Sequence, residues 1–170
     1  IMPPTSETNH LCIAADLEKA VSTLKKKLKN GQIFTVGTGY KGEKMVGIDP
    51  QWVDRLANYV DYILVEADGA RRKPFKAPAE HEPVIPRAAT TVVSVVGIDA
   101  LGKELTEENV FRSELISEIS KTAVGAEIQV GTIASVVVSP LGSRKSIPDH
   151  AHWVVCLNKV DNLELLQSAD

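Results

Sequence analysis

The chain has 170 residues, 44% of them hydrophobic, which is enough for one domain with a real core over residues 1–170 and short for two. Nineteen Lys and Arg against 22 Asp and Glu leave a net charge of −3, which argues against coating nucleic acid or an anionic membrane through bulk electrostatics, so any anion must be held locally. The two cysteines, Cys12 and Cys156, lack C-x-x-C spacing and no apolar run approaches the ~20 residues of a membrane span, so a soluble protein of the reducing cytoplasm is expected.

The chain opens on Ile1-Met2-Pro3-Pro4, which reads as the middle of a longer sequence, and the N-terminus is expected to be incomplete. Residues 15–29, ADLEKAVSTLKKKLK, place Leu17, Val21, Leu24 and Leu28 on one helical stripe, with Asp16 near the start and Asn30-Gly31 as a stop. Lys25, Lys26 and Lys27 fall in its last turns, where cations complement the helix dipole. QIFTVG, residues 32–37, predicts a short strand, and TGYKGEKMVG a glycine-bearing loop or hairpin. Asp49-Pro50 is a helix-start signal, and Trp52, Val53, Leu56 and Val60 continue at helical spacing, so a second helix is expected from Pro50 to Tyr59.

Three runs then fail to alternate: YILVEA at 62–67, TTVVSVVG at 90–97 and WVVCLNK at 153–159. Strands apolar on both faces belong inside a parallel sheet covered by helices, so the fold class expected is α/β, a mostly parallel sheet flanked by helices. Between the last two runs, ENVFRSELISEIS at 108–120 predicts a helix, and IQVGTIASVVV, ambiguous between helix and strand, is assigned to helix.

In such a sheet ligands sit beyond the carboxyl ends of the strands. Glu66 and Asp68 follow the first run, and residues two apart in an extended segment share a face, which suits Mg2+ or water positioning; Asp68-Gly69 also reads as a simple turn. Arg71, Arg72, Lys73 and Lys76 follow at once, with Pro74, Pro78, Pro83 and Pro86 stiffening the loop, a pre-organised cluster able to clamp phosphate or carboxylate. His81 lies between Glu80 and Glu82, and a structural hydrogen bond within the loop is favoured for it over acid catalysis or metal ligation. Asn158, Lys159 and Asp161 end the last strand in the N-K-x-D pattern of base recognition, with a helix cap at Asp161 as the bland alternative. Asp99, after the middle strand, reads by default as a cap or turn residue. No G-x-x-x-x-G-K-[ST] phosphate loop occurs in the 170 residues.

The stretch LVEADGARRKPFKAPAEHEPVIP closely resembles the signature of the YqeC family, described as selenium-dependent hydroxylase accessory proteins. The likeness extends through GEKMVGIDPQWVDRL, TTVVSVVGIDALGKELTEENVFR and the final LNKVD. It implies a P-loop NTPase-like fold of the three-layer Rossmann type, incomplete here because the phosphate loop would lie upstream. It further implies ATP or GTP with Mg2+ as cofactor and a molybdenum hydroxylase or its maturation proteins as partner, beside the expectation from charge and hydropathy of no nucleic acid and no membrane. Carried onto this sequence, Glu66, Asp68 and Gly69 match the Walker B region, with the two acids as catalytic and metal-binding groups. Asn158, Lys159 and Asp161 match the base-recognition loop. Arg71, Lys76, His81 and Glu82 match the family's own signature, and Lys44 matches a family position in the preceding segment. On these grounds the expected function is a nucleotide-binding accessory protein for maturation of a selenium-dependent molybdenum hydroxylase, with NTPase activity of the full-length protein left open and none expected of these 170 residues. The alternative is a catalytically silent module whose 65–86 loop recognises a partner protein or a molybdopterin-type anion.

Overall fold

The computed structural model describes residues 8–160. The chain divides into two compact units, Ile1–Leu64 with Pro86–Ala88, and Val65–Ile85 with Ala89–Asp170.

The first unit begins with β1 (His10–Ile13), which no periodicity in the sequence announced. It pairs parallel with β2 (Phe34–Gly37), His10 opposite Phe34 and Ile13 opposite Gly37, and α1 (Leu17–Lys27) makes the crossover. The Asp16 carboxylate caps α1 by accepting from the Lys19 N–H at 2.7 Å, which satisfies one of the orphan donors of the first turn. Val21 and Leu24 of the expected stripe are buried with Cys12, Ala20 and Leu56, while Leu17 and Leu28 pack at the edge of that cluster. Of the loop or hairpin left open for the glycine-bearing segment, the hairpin forms, β3 (Gly39–Lys41) antiparallel to β4 (Lys44–Val46). The second helix is split into α2 (Gln51–Leu56) and a 3-10 turn at Ala57–Tyr59.

In the second unit β5 (Thr91–Gly97) pairs parallel with β6 (His152–Asn158) over their whole length, from Thr91 opposite His152 to Gly97 opposite Asn158. The connection carries α3 (Ser113–Ser120) and α4 (Val130–Val138), the latter a helix despite its β-branched run. Val96 of β5 joins Phe75, Leu105, Val110, Ile116 and Ile128 in the core. Trp153 packs against that cluster and donates its ring N–H to Ser94 Oγ at 2.9 Å, so its indole N–H is paired.

Two sequence expectations are corrected. Residues 62–67 form no strand: Tyr62 and Leu64 are 88% and 98% exposed, and among the described residues no strand lies beside the run to take its backbone groups. The expected single sheet is accordingly present as separate parallel pairs, β1–β2 and β5–β6, an α/β architecture with small sheets. The helix expected over 108–120 starts only at Ser113. Glu107 Oε1 accepts from the Ser113 N–H at 2.6 Å and its hydroxyl at 3.1 Å, and Phe111 N–H is drawn to Phe75 O at 2.9 Å, so tertiary bonds take 108–112 out of the helix. Among the described residues no helix is long and apolar enough to cross a membrane.

Candidate functional site

The loop of residues 65–86 is held by its own charges. Lys76 Nζ donates to Asp68 Oδ1, to Gly69 O at 3.0 Å and to Glu82 Oε2 at 2.9 Å. Arg112, placed one residue before α3, grips both oxygens of Glu82 in a fork, Nη2 to Oε1 at 3.0 Å, and gives a further bond to Ala77 O at 3.1 Å. The three side chains are mostly shielded, Lys76 at 14%, Glu82 at 19% and Arg112 at 20% exposure. The Arg112 fork, with help from Lys76 and the Ala79 N–H, holds the Glu82 carboxyl far below its ordinary value despite burial. Burial pushes Asp68 up, against the pull of Lys76. Glu107 is opposed by burial, but the Ser113 and Arg112 N–H groups and the Ser113 hydroxyl outweigh it and lower its pKa.

Around this network the Phe111 ring is faced by three cations, Arg112 at 4.3 Å, Arg71 at 4.6 Å and Lys76 at 5.5 Å. Arg71 and Arg72 take successive left-handed conformations (φ 50° and 63°), a backbone cost of roughly 1–2 kcal/mol each that turns the chain and leaves both side chains exposed. Among the described residues Arg71 has no carboxylate at ion-pair distance, in contrast to Lys76. Lys145 Nζ ties down the far end of the loop through Ala79 O at 2.6 Å and Glu80 O at 2.7 Å.

The same loop lies across the carboxyl end of β5. Gly97 donates its N–H to Pro74 O at 2.7 Å, and a Cβ at Gly97 would stand 2.8 Å from Pro74 Cβ and 2.7 Å from Asp99 Oδ1. Only glycine permits that approach. Because the parallel pair ends in register at Gly97 and Asn158, Asn158 and Lys159 stand next to this junction. Lys159 is also left-handed (φ 63°), its N–H accepted by Asn158 Oδ1 at 2.8 Å, and its ammonium is 2.9 Å from Asp99 Oδ2.

The sequence-derived site is thus partly assembled. Asp68, Gly69, Lys76 and Glu82 come together, with Arg71 at the rim. Asn158 and Lys159 stand at the strand end as expected, and Asp161 lies outside the described residues. Glu66 is exposed and takes no part in the network, and Asp68 is spent on Lys76. These two acids, as arranged, do not fit a metal: Mg2+ at Asp68 would have to displace a shielded ammonium, and no group of three ligating side chains occurs among the described residues. The hydrogen bond expected of His81 is not formed; the ring is 79% exposed, with Nε2 3.8 Å from Glu82 Oε1. Lys44 is exposed in β4 of the first unit, opposite Lys41. Arg112 and Phe111 were missed because they lie about 30 residues from the loop; the only trace is an aromatic-Arg pair just ahead of a helical pattern.

A family model described as "YqeC protein" matches residues 1–114, which include the loop, Asp99, Phe111 and Arg112 but not Asn158 or Lys159. The chain is 35% identical over 133 residues to the "Uncharacterized protein YqeC" of Escherichia coli (strain K12), across 73% of this chain and 52% of that protein. The chain therefore spans about half the length of the curated relative it matches. No solved structure matches it.

Proposed function

The chain belongs to the YqeC family, and we propose on that premise that it is a nucleotide-binding accessory protein serving maturation of a selenium-dependent molybdenum hydroxylase. The observation that carries the nucleotide part is the in-register ending of β5 and β6, which puts Asn158 and Lys159 beside Gly97 and Asp99, with the charged loop laid over the same end. Carboxyl ends of parallel strands are where open α/β sheets hold their ligands. In this reading the P-loop NTPase-like fold is completed by upstream residues that bring the phosphate cradle and its Mg2+, while Asn158 and Lys159 meet the base. Nucleotide state then changes affinity for the hydroxylase or its maturation partners. The test is titration of the full-length protein with ATP and with GTP in the presence of Mg2+. Binding in the micromolar range, weakened about tenfold by Lys159→Met, is the expected result; no binding at millimolar nucleotide removes the reading.

A second reading, a catalytically silent recognition module, is favoured by one observation. Arg71 presents a guanidinium with no carboxylate at ion-pair distance among the described residues, while Lys76 is consumed internally. In that case Arg71→Ala abolishes capture of the partner or of a molybdopterin-type anion and leaves nucleotide affinity untouched.

A further inference from the structure

Asp99 is not the plain cap that its sequence position suggests. Its Oδ2 holds Lys159 Nζ at 2.9 Å, with Lys103 Nζ also near at 3.9 Å. Its Oδ1 is buried, among the described residues without a hydrogen-bond donor, in the narrow space that Gly97 leaves open beside Pro74. A buried carboxylate oxygen with no donor is costly, and the cost is accepted here in an orientation that turns the other oxygen to Lys159.

Lys159 is therefore fixed at both ends. Asn158 Oδ1 holds its backbone N–H in the left-handed conformation, and Asp99 holds its ammonium. A lysine left free loses rotamer freedom when a ligand orders it, a cost already met in this arrangement. The pairing also decides which ligand is suited. An ammonium neutralised by Asp99 offers little to a second anion, but its extended methylene stem offers a flat apolar surface. That surface fits an uncharged heterocyclic ring rather than a phosphate.

We infer that Asp99 is a positioning residue that sets Lys159 for the base of a nucleotide and turns this end of the site away from phosphate. The inference rests on the nucleotide reading above. It is tested on the full-length protein by calorimetric titration of ATP, GTP and base-free tripolyphosphate against wild type, Asp99→Asn, Asp99→Glu, Lys159→Met and the Asp99→Asn/Lys159→Met pair. The expected result is that Asp99→Asn weakens the preferred nucleotide about tenfold while tripolyphosphate affinity is unchanged or higher, because the released ammonium is then open to an anion, that Asp99→Glu restores most of the loss, and that the double variant is no weaker than Lys159→Met alone. Equal weakening of nucleotide and tripolyphosphate, or no effect of Asp99→Asn on either, overturns it. If Asp99→Asn fails to fold, Asp99→Glu and Lys159→Met carry the test: selective loss with Lys159→Met and retention with Asp99→Glu support the inference, and any other pattern refutes it. Wild type that binds tripolyphosphate but gains nothing from a base sinks this inference and spares phosphate binding; wild type that binds neither sinks the nucleotide reading itself.

Discussion

Glu82 is the residue on which the loop turns, since it alone takes bonds from Lys76, from the Ala79 N–H and from both arms of Arg112. Its carboxyl is depressed well below the ordinary 4.5, so it contributes stability that is fully present above about pH 4.5 and is lost as pH falls toward the depressed value. Asp68 acts in the opposite sense: burial raises it above 3.8, so its contribution favours folding below that pH and fades as pH rises through the raised value. Glu82 has the larger displacement and sets the sign, and thermal stability is expected to fall on acidification below about pH 4.5. Glu82→Gln is expected to cost about 2 kcal/mol at pH 7, because two shielded cations lose their shared partner, and to flatten that acid slope. Melting curves at pH 7, 4 and 3 check this; wild type and variant losing stability in parallel below pH 4.5 would assign the slope to other groups. The sequence displayed the acids and bases of this loop as a cluster. It did not display that they neutralise one another, because Arg112 arrives from 30 residues away and nothing local to Lys76 tells a strut from a clamp.

At the scale of elements, what repeats with a fixed period was legible and what depends on a neighbour was not. The stripe of α1, the hairpin of β3 and β4, and the apolar runs of β5 and β6 were read from local pattern, and all four are present. The run at 62–67 is apolar without alternation, as β5 is, but a strand exists only when another backbone pairs with it, and composition says nothing of that. The α3 start failed for the converse reason: Glu107 and Phe75 offered 108–112 better partners than a helix would. The contact between β5 and the loop gives a prediction of its own. Gly97→Ala would place a methyl 2.7 Å from Asp99 Oδ1 and 2.8 Å from Pro74 Cβ, so loop and strand must separate, at an expected cost of about 1–3 kcal/mol. Gly39→Ala in β3, where a Cβ meets nothing within 4 Å, is the matched control and is expected to leave stability within about 0.5 kcal/mol of wild type. Equal denaturant midpoints for the two variants would show that the approach of Pro74 to β5 is not tight.

At the scale of the whole molecule, the α/β class was legible because unbroken β-branched runs and amphipathic helical stripes each leave a local pattern, whereas strand burial and the division into two units rest on which contacts form: Val93, Val95, Val154 and Val155, expected inside a sheet covered on both faces, are exposed. The proposed function divides in the same way: the proposed base end is argued from Asn158, Lys159 and Asp99, but chemistry on a phosphate needs groups that converge on it. Phosphoryl transfer is catalysed almost wholly by positioning and charge stabilisation, through a phosphate cradle and a metal. No glycine-rich lysine loop occurs in the sequence, and among the described residues no group of three metal-ligating side chains is present, with Asp68 held by Lys76 instead of standing open to a cation. The purified 170-residue chain is therefore expected to release no phosphate from ATP or GTP above the uncatalysed background, with or without Mg2+. Lys76→Met, which frees Asp68, is expected to leave that result unchanged, because a single released carboxylate supplies one ligand where a hydrated Mg2+ also needs the phosphates to be held. A malachite-green assay over hours at millimolar nucleotide decides the matter, and turnover by either protein would mean that phosphate is held by groups other than a phosphate loop, with the exposed Arg71 and Arg72 the first to be substituted in looking for them.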